Sequence, residues 1–137
     1  MQNDFIIALA WPEGMVAKTD VWYDRFFAKN GKYRVGHSAA VLVERLTGEL
    51  HYFDFGRYHT PKGFGRVRNK DTDHDVCIQI TAEIKSKEIV NIEDILFEIK
   101  KNTAFHGEGT LYASILNDVS FQKAYEYAKK IQNNGLV

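Results

Sequence analysis

Cysteine is almost absent from this sequence of 137 residues, since Cys77 is the one instance. A lone cysteine excludes an intramolecular disulfide framework and any zinc site built from several cysteines. Proline occurs only twice, and no apolar run is long enough to cross a membrane as a helix. Because the N-terminal residues also lack the basic region of a secretion signal, the sequence predicts a cytoplasmic location.

The chain also has no net charge at neutral pH, because its 18 basic residues balance its 18 acidic residues. This balance predicts neither a nucleic acid nor a membrane surface as the partner. Hydrophobic residues make up 45% of the chain and aromatic residues 13%, which is typical of a folded protein. The length predicts a single domain over residues 1–137. No cofactor is predicted, because Gly63-Phe64-Gly65 lacks the strand-to-helix context of a phosphate-binding loop.

The stretch from Val35 to His59 is predicted to form a β-hairpin. Residues 38–43 are a short apolar run, Thr47-Gly48 marks a tight turn, and aromatic and polar residues alternate over 50–55. If the turn has two loop residues, Leu46 faces Glu49 and the register of the whole hairpin follows.

This register places two chemically active side chains on one face of the hairpin. His37 lies across from Tyr58 and Val41 across from Asp54, and all four side chains point the same way. His37 could then serve as a general acid or base, with Asp54 orienting its ring and stabilising its cation. The alternative is a half-buried histidine that forms a hydrogen bond at the end of a sheet.

The remaining pattern predicts an α+β fold with a mostly antiparallel sheet, a central hairpin and three helices. Phe5 to Trp11 is predicted as a strand buried on both faces and ended by Pro12. Alternating residues predict a strand from His74 to Ile84, and a further strand is expected from Leu111 to Leu116. The predicted helices cover 20–29, 91–101 with Asn91 as N-cap, and 120–134 with Ser120 as N-cap.

The segment from 56 to 75 is predicted as a long loop that borders a binding site. Twenty residues without periodicity are unusual in a small domain, and such loops are often functional. Arg57, Arg66 and Arg68 could make paired hydrogen bonds to an anionic or carboxylate ligand. A solvated surface loop is the alternative. The predicted substrate-binding residues are Arg57, Tyr58, His59 and Arg66.

Two further groups are interpreted as structural. Cys77 falls in the middle of a predicted strand, where neither a histidine nor a helix N-terminus is evident to activate its thiol. Asp71, Asp73, His74 and Asp75 lie close together, but their spacing misses the calcium-loop pattern. No metal site is therefore predicted.

Gly36-His37-Ser38-Ala39-Ala40-Val41-Leu42-Val43 and the stretch from Gly48 to Gly56 resemble the core hairpin of circularly permuted papain-fold (NlpC-like) proteins. The FDFGRYH and HGEG stretches are also similar to those of an uncharacterised bacterial family. The resemblance implies a papain-like hydrolase that acts on peptide or amide/acyl bonds. It also implies that His37 is the catalytic histidine, with Asp54 or His51 as its orienting residue.

The resemblance does not supply a nucleophile. In the papain-like group the catalytic cysteine follows the histidine hairpin and begins a helix, a position that Cys77 does not match. Two interpretations remain: the nucleophile lies beyond residue 137, or the chain is inactive. The alternative function is a non-catalytic module that binds a small anion or carboxylate or interacts with another protein. The sequence does not predict an oligomeric state.

Overall fold

The computed structural model describes residues 4–18, 32–56, 66–105 and 110–134. This part of the chain has the predicted α+β class, with seven strands and two α-helices. The helix predicted over 20–29 lies outside it. The elements are β1 (Asp4–Lys18), β2 (Lys32–Val43), β3 (Leu50–Gly56), β4 (Arg66–Arg68), β5 (Ile84–Lys85), β6 (Glu88–Ile89), α1 (Ile92–Lys101), β7 (Tyr112–Val119) and α2 (Phe121–Asn134).

Five strands form one antiparallel sheet in the order β4-β3-β2-β1-β7, while β5 and β6 form a separate small hairpin. One face of the large sheet carries the core, where the even spacing of Phe5, Ile7, Leu9 and Trp11 buries all four on β1. Helix α1 adds buried isoleucines to this face. Helix α2 lies over the opposite face, where its Tyr125 meets Phe53.

Strand β1 differs from the prediction in its length and its burial. It continues through Pro12 to Lys18, with an irregularity in its pairing between Trp11 and Met15. A proline is tolerated there because an irregular pairing does not require its missing N–H. The prediction that β1 is buried on both faces was wrong, because Ala8 is exposed between the buried residues Ile7 and Leu9.

The hairpin of β2 and β3 has a longer turn than the two residues predicted. Val43 pairs with Leu50, and the N–H of Gly48 donates to the carbonyl of Glu44 at 2.7 Å. Gly48 has a φ of +73°, and a side chain there would collide with the carbonyl of Ala82. The register is therefore two residues away from the predicted one. Because two is an even number, every side chain keeps its predicted face.

The strand predicted from His74 to Ile84 was wrong, although its burial pattern was correct. His74–Val76 is a 3-10 turn, and the chain joins a strand again only at Ile84. Val76, Ile78 and Ala82 are buried, as the alternation predicts.

The backbone of this segment finds its hydrogen bonds outside a strand ladder. The N–H of Gln79 donates to the Glu98 carboxylate at 3.1 Å, and the N–H of Ala82 donates to the Gly48 carbonyl at 2.8 Å. Backbone N–H groups that do not pair with a neighbouring strand need other hydrogen-bond acceptors, and here a side-chain carboxylate and a turn carbonyl supply them. The segment from His74 to Ile84 therefore packs like a strand without pairing like one.

The other predicted elements are confirmed, with small shifts at their ends. Helix α1 buries Ile95 and Ile99. Asn91 occupies its N-cap position, but the Asn91 side chain makes no capping hydrogen bond. Strand β7 corresponds to the strand predicted from Leu111, and Ser120 caps α2 through its hydroxyl. The segment predicted as a loop from 56 to 75 contains the short strand β4.

Replacing Asn91 by Ala is expected to lower the free energy of unfolding by about 1–3 kcal/mol. The buried Asn91 amide donates to the Thr81 carbonyl at 2.9 Å and accepts from the Glu83 N–H at 2.8 Å. Urea denaturation measures the change. Asn117→Ala, at an exposed position of β7, is the control, and an equal effect of the two substitutions would contradict the bridging role.

Candidate functional site

His37 and Asp54 meet on the core face of the sheet, on the neighbouring strands β2 and β3. Asp54 pairs directly with Ala39, so His37 is its diagonal neighbour, two residues along β2. His37 Nε2 and Asp54 Oδ2 are 3.2 Å apart, and both side chains are buried. The two residues predicted to share a face are therefore in hydrogen-bond contact.

The His37 ring also packs against Trp11. These two residues pair directly between β1 and β2, and their ring centroids are 5.5 Å apart at an interplanar angle of 39°. Trp11 is fully buried. Because close-packed neighbours restrict side-chain rotation, the imidazole is held between an indole and a carboxylate.

Asp54 is the centre of a buried polar cluster that consists of His37, Tyr52, Asp54 and Arg68. Arg68 pairs directly with Asp54 on β4, and its guanidinium donates from Nε to Oδ1 at 3.0 Å and from Nη2 to Oδ2 at 2.7 Å. The Tyr52 hydroxyl donates to Oδ2 at 2.7 Å. Such charge-assisted, bidentate contacts are both strong and geometrically specific.

This cluster decides the protonation of Asp54. Burial alone would raise the pKa of a carboxyl group, because it disfavours the charged form. Hydrogen bonds from Arg68, His37 and Tyr52, together with the charge of Arg68, outweigh burial and lower the pKa of Asp54 from 3.8 to about 2. Asp54 is therefore a carboxylate at neutral pH.

The ionised state of Asp54 assigns roles to the two ring nitrogens of His37. A carboxylate can only accept hydrogen bonds, so the Nε2 of a neutral His37 carries the proton. Nδ1 is then the basic nitrogen. Such a pair can take up a proton at Nδ1 while the carboxylate stabilises the resulting cation.

Sequence reasoning did not find the roles of Tyr52 and Arg68. The sequence predicts Arg68 as a ligand-binding arginine, but its guanidinium is buried and also donates to the Ala104 carbonyl at 2.8 Å. Its charge is engaged by Asp54, which weakens the interpretation of Arg68 as an anion-binding residue. Tyr52 could have been found, because side chains two residues apart on a strand share a face.

The other predicted site residues are placed differently. Arg57, Tyr58 and His59 lie outside the described residues, as does the side chain of Arg66, whose backbone pairs with Gly56. His51, the second candidate for orienting His37, pairs with Leu42 on the opposite face of the sheet. Its ring lies 5.0 Å from that of Phe121, and burial lowers its pKa. His51 is therefore not part of the cluster around Asp54.

Cys77 does not begin a helix. It follows the 3-10 turn His74–Val76 as its C-terminal cap, it is half-buried, and its sulfur lies 4.0 Å from the Ile78 carbonyl oxygen. The lowered pKa of many reactive cysteines comes from a helix N-terminus or an adjacent cation. The backbone around Cys77 provides no helix N-terminus.

A cavity of about 400 Å³ lies between α2 and the sheet. Its wall includes Phe53 and Val67 from the sheet and Ala128 and Ile131 from α2, and the small residues Ser38 and Ala40 leave the space open. These sheet residues alternate with those of the core face, so most of the cavity lies on the face of the sheet away from His37. Ala39 and Asp54, which belong to the core face, also line it.

No helix in the described ranges has the length and apolar character needed to cross a membrane.

Residues 6–137 match the model of a protein family, which is described as "Type VI secretion system effector TseH-like". The crystal structure of the type VI secretion system effector TseH is similar to this chain, with a TM-score of 0.67 and 23% sequence identity. The match covers 98% of this chain and 63% of the TseH chain, so this chain spans less than two thirds of that relative. Comparison with curated proteins gives no match.

Proposed function

The chain belongs to the TseH-like family of type VI secretion system effectors, and we propose that it is the histidine-bearing part of a papain-like hydrolase effector. His37 is the general base and acid of this hydrolase, and Asp54 orients it. A role as a secretion-system effector implies export from the producing cell. The proposal therefore replaces the cytoplasmic location predicted from the sequence.

One observation carries this proposal: a buried histidine is hydrogen-bonded through Nε2 to a buried carboxylate at 3.2 Å. Burying a carboxylate costs free energy unless partners compensate for the lost water. Here Arg68 and Tyr52 supply that compensation, and the carboxylate remains charged beside the imidazole. This is the arrangement that a histidine base needs when it must gain and lose a proton during turnover.

The proposed substrate has a peptide, amide or other acyl bond. His37 accepts the proton of a thiol, the thiolate attacks the carbonyl carbon, and His37 returns the proton to the leaving amine as the bond to it breaks. Water then hydrolyses the acyl-enzyme and regenerates the thiol. Since Cys77 lies after a 3-10 turn, we assign the nucleophile to a cysteine outside residues 1–137.

The complete reading frame of the gene tests this assignment. We expect it to encode a further cysteine at the start of a helix. The complete protein should then release products from a panel of peptide, amide and thioester substrates in ¹⁸O-water, with one ¹⁸O atom in each new carboxyl group. Residues 1–137 alone should release none. A reading frame that ends at Val137, or a complete protein that binds these compounds without hydrolysing them, would overturn the hydrolase proposal.

Cys77→Ala is expected to leave the hydrolysis rate of the complete protein unchanged, because Cys77 is assigned a packing role. The rate at which a haloacetamide alkylates Cys77 should likewise be the same in the wild-type chain and in His37→Gln. Mass spectrometry of the Cys77 peptide measures this rate. Fast alkylation that disappears in His37→Gln would instead identify Cys77 as the thiol paired with His37.

A further inference from the structure

Arg68 holds Asp54 through two hydrogen bonds. Its guanidinium contacts both oxygens of the Asp54 carboxylate, at 3.0 Å from Nε and 2.7 Å from Nη2. The contact between His37 Nε2 and Oδ2, at 3.2 Å, is longer than the contacts of Asp54 with Arg68 and with Tyr52. The position of the carboxylate is therefore set mainly by Arg68 and Tyr52.

Arg68 is itself fixed in place. It belongs to the three-residue strand β4, its side chain is buried, and Nη2 also donates to the carbonyl of Ala104 at 2.8 Å. Ala104 lies in the 3-10 turn Thr103–Phe105, whose Phe105 ring packs edge-on against Tyr52 at 4.6 Å. A planar guanidinium with partners on two elements has little freedom to rotate, so it holds the plane of the Asp54 carboxylate.

The orientation and charge of Asp54 in turn determine which nitrogen of His37 carries the proton. An ionised Asp54 accepts from Nε2–H and leaves Nδ1 basic. Without Arg68, burial would favour the protonated carboxyl group, which can donate to Nε2. Nδ1 would then carry the ring proton, and a neutral His37 could not act as a base at that nitrogen.

We propose that Arg68 is a positioning residue, which holds Asp54 ionised and oriented and thereby fixes the Nε2–H tautomer of His37. Its importance for catalysis rests on the proposed function. The tautomer of His37 does not depend on that function, and it can be measured without any substrate.

The tautomer is read from the ¹⁵N chemical shifts of the His37 ring, which are assigned by comparison with His37→Gln. We expect the wild-type chain to show the Nε2–H form. Arg68→Met should raise the share of the Nδ1–H form strongly. Arg68→Lys should raise it less, because one ammonium cannot hold both carboxylate oxygens in a plane. Arg45→Met, at an exposed arginine of the hairpin turn, is the matched control and should leave the spectrum unchanged.

Hydrolysis by the complete protein provides the second measurement. A catalytic histidine in the wrong tautomer loses up to about 10⁴-fold in kcat, so we expect Arg68→Met to lose between about 10-fold and 10⁴-fold. Arg68→Lys serves in its place if circular dichroism shows that Arg68→Met does not fold. An unchanged His37 tautomer in the folded variants would overturn the inference even if His37→Gln abolishes hydrolysis. A changed tautomer together with full activity of His37→Gln would support the inference and overturn the proposed function.

Discussion

His37→Gln is expected to lower kcat/KM of the complete protein by about 10²–10⁴-fold, the usual contribution of a general acid–base residue. Glutamine retains a polar side chain that can still donate a hydrogen bond to Asp54, so the buried carboxylate keeps a partner. It cannot take up a proton near neutral pH. The loss is therefore expected in turnover, and the melting temperature from circular dichroism should change much less. Release of product from the best substrate in the panel measures the effect.

His51→Gln is the matched control for this substitution. His51 is also a partly buried histidine, on the strand adjacent to that of His37, but it lies on the opposite face of the sheet and packs against Phe121 and Tyr125. The His51→Gln variant should retain wild-type activity. Comparable losses in both variants would show that hydrolysis depends on general packing of the sheet. Full activity in His37→Gln would remove the histidine from the mechanism.

The sequence predicts that His37 and Asp54 share one face of the hairpin, because the face depends only on the alternation of side chains along each strand. Their contact was not predictable in the same way, because it depends on the precise pairing of β2 with β3. The sequence predicts Asp54 across from Val41, whereas Asp54 pairs with Ala39. The error of two residues arises in the turn, where Gly48 bonds to Glu44 and lengthens the loop. An even error preserves the face, and here it brings Asp54 within hydrogen-bond distance of His37.

The partners of Asp54 were less predictable, because they depend on pairings between distant parts of the chain. Nothing in the local pattern around Arg68 indicates that this three-residue stretch pairs with β3. The same limit explains the wrong strand from His74 to Ile84. The alternation of apolar and polar residues predicts which side chains are buried. The backbone N–H groups of this segment, however, donate to Glu98, to Asn91 and to the hairpin turn. Local sequence does not encode such long-range partners.

Asp54→Asn is expected to lower the free energy of unfolding by about 3–5 kcal/mol at pH 7, the usual cost of removing one partner from a buried ion pair. The substitution keeps the size of the side chain but leaves the buried guanidinium of Arg68 without its counter-charge. Urea denaturation measures the change.

Asp71→Asn is the matched control for Asp54→Asn, because it breaks an ion pair of the surface. Asp71 lies 3.4 Å from Lys129, and both side chains are accessible to solvent. Surface pairs contribute about 1 kcal/mol or less, so this substitution should have a small effect. Equal losses in Asp54→Asn and Asp71→Asn would contradict the buried ion pair.

The difference between the wild type and Asp54→Asn should depend on pH in a defined direction. The pKa of Asp54 is lowered from 3.8 in the unfolded chain to about 2 in the fold, so the folded state binds this proton less readily. A group of this kind stabilises the fold above its unfolded pKa and loses that contribution as the pH falls through the folded pKa. The shift corresponds to roughly 2 kcal/mol. The stability advantage of the wild type should therefore narrow by about this amount between pH 4 and pH 2, since asparagine does not titrate. A constant difference across this range would show that Asp54 is not held ionised by its neighbours, and Arg68 would then have no carboxylate to position.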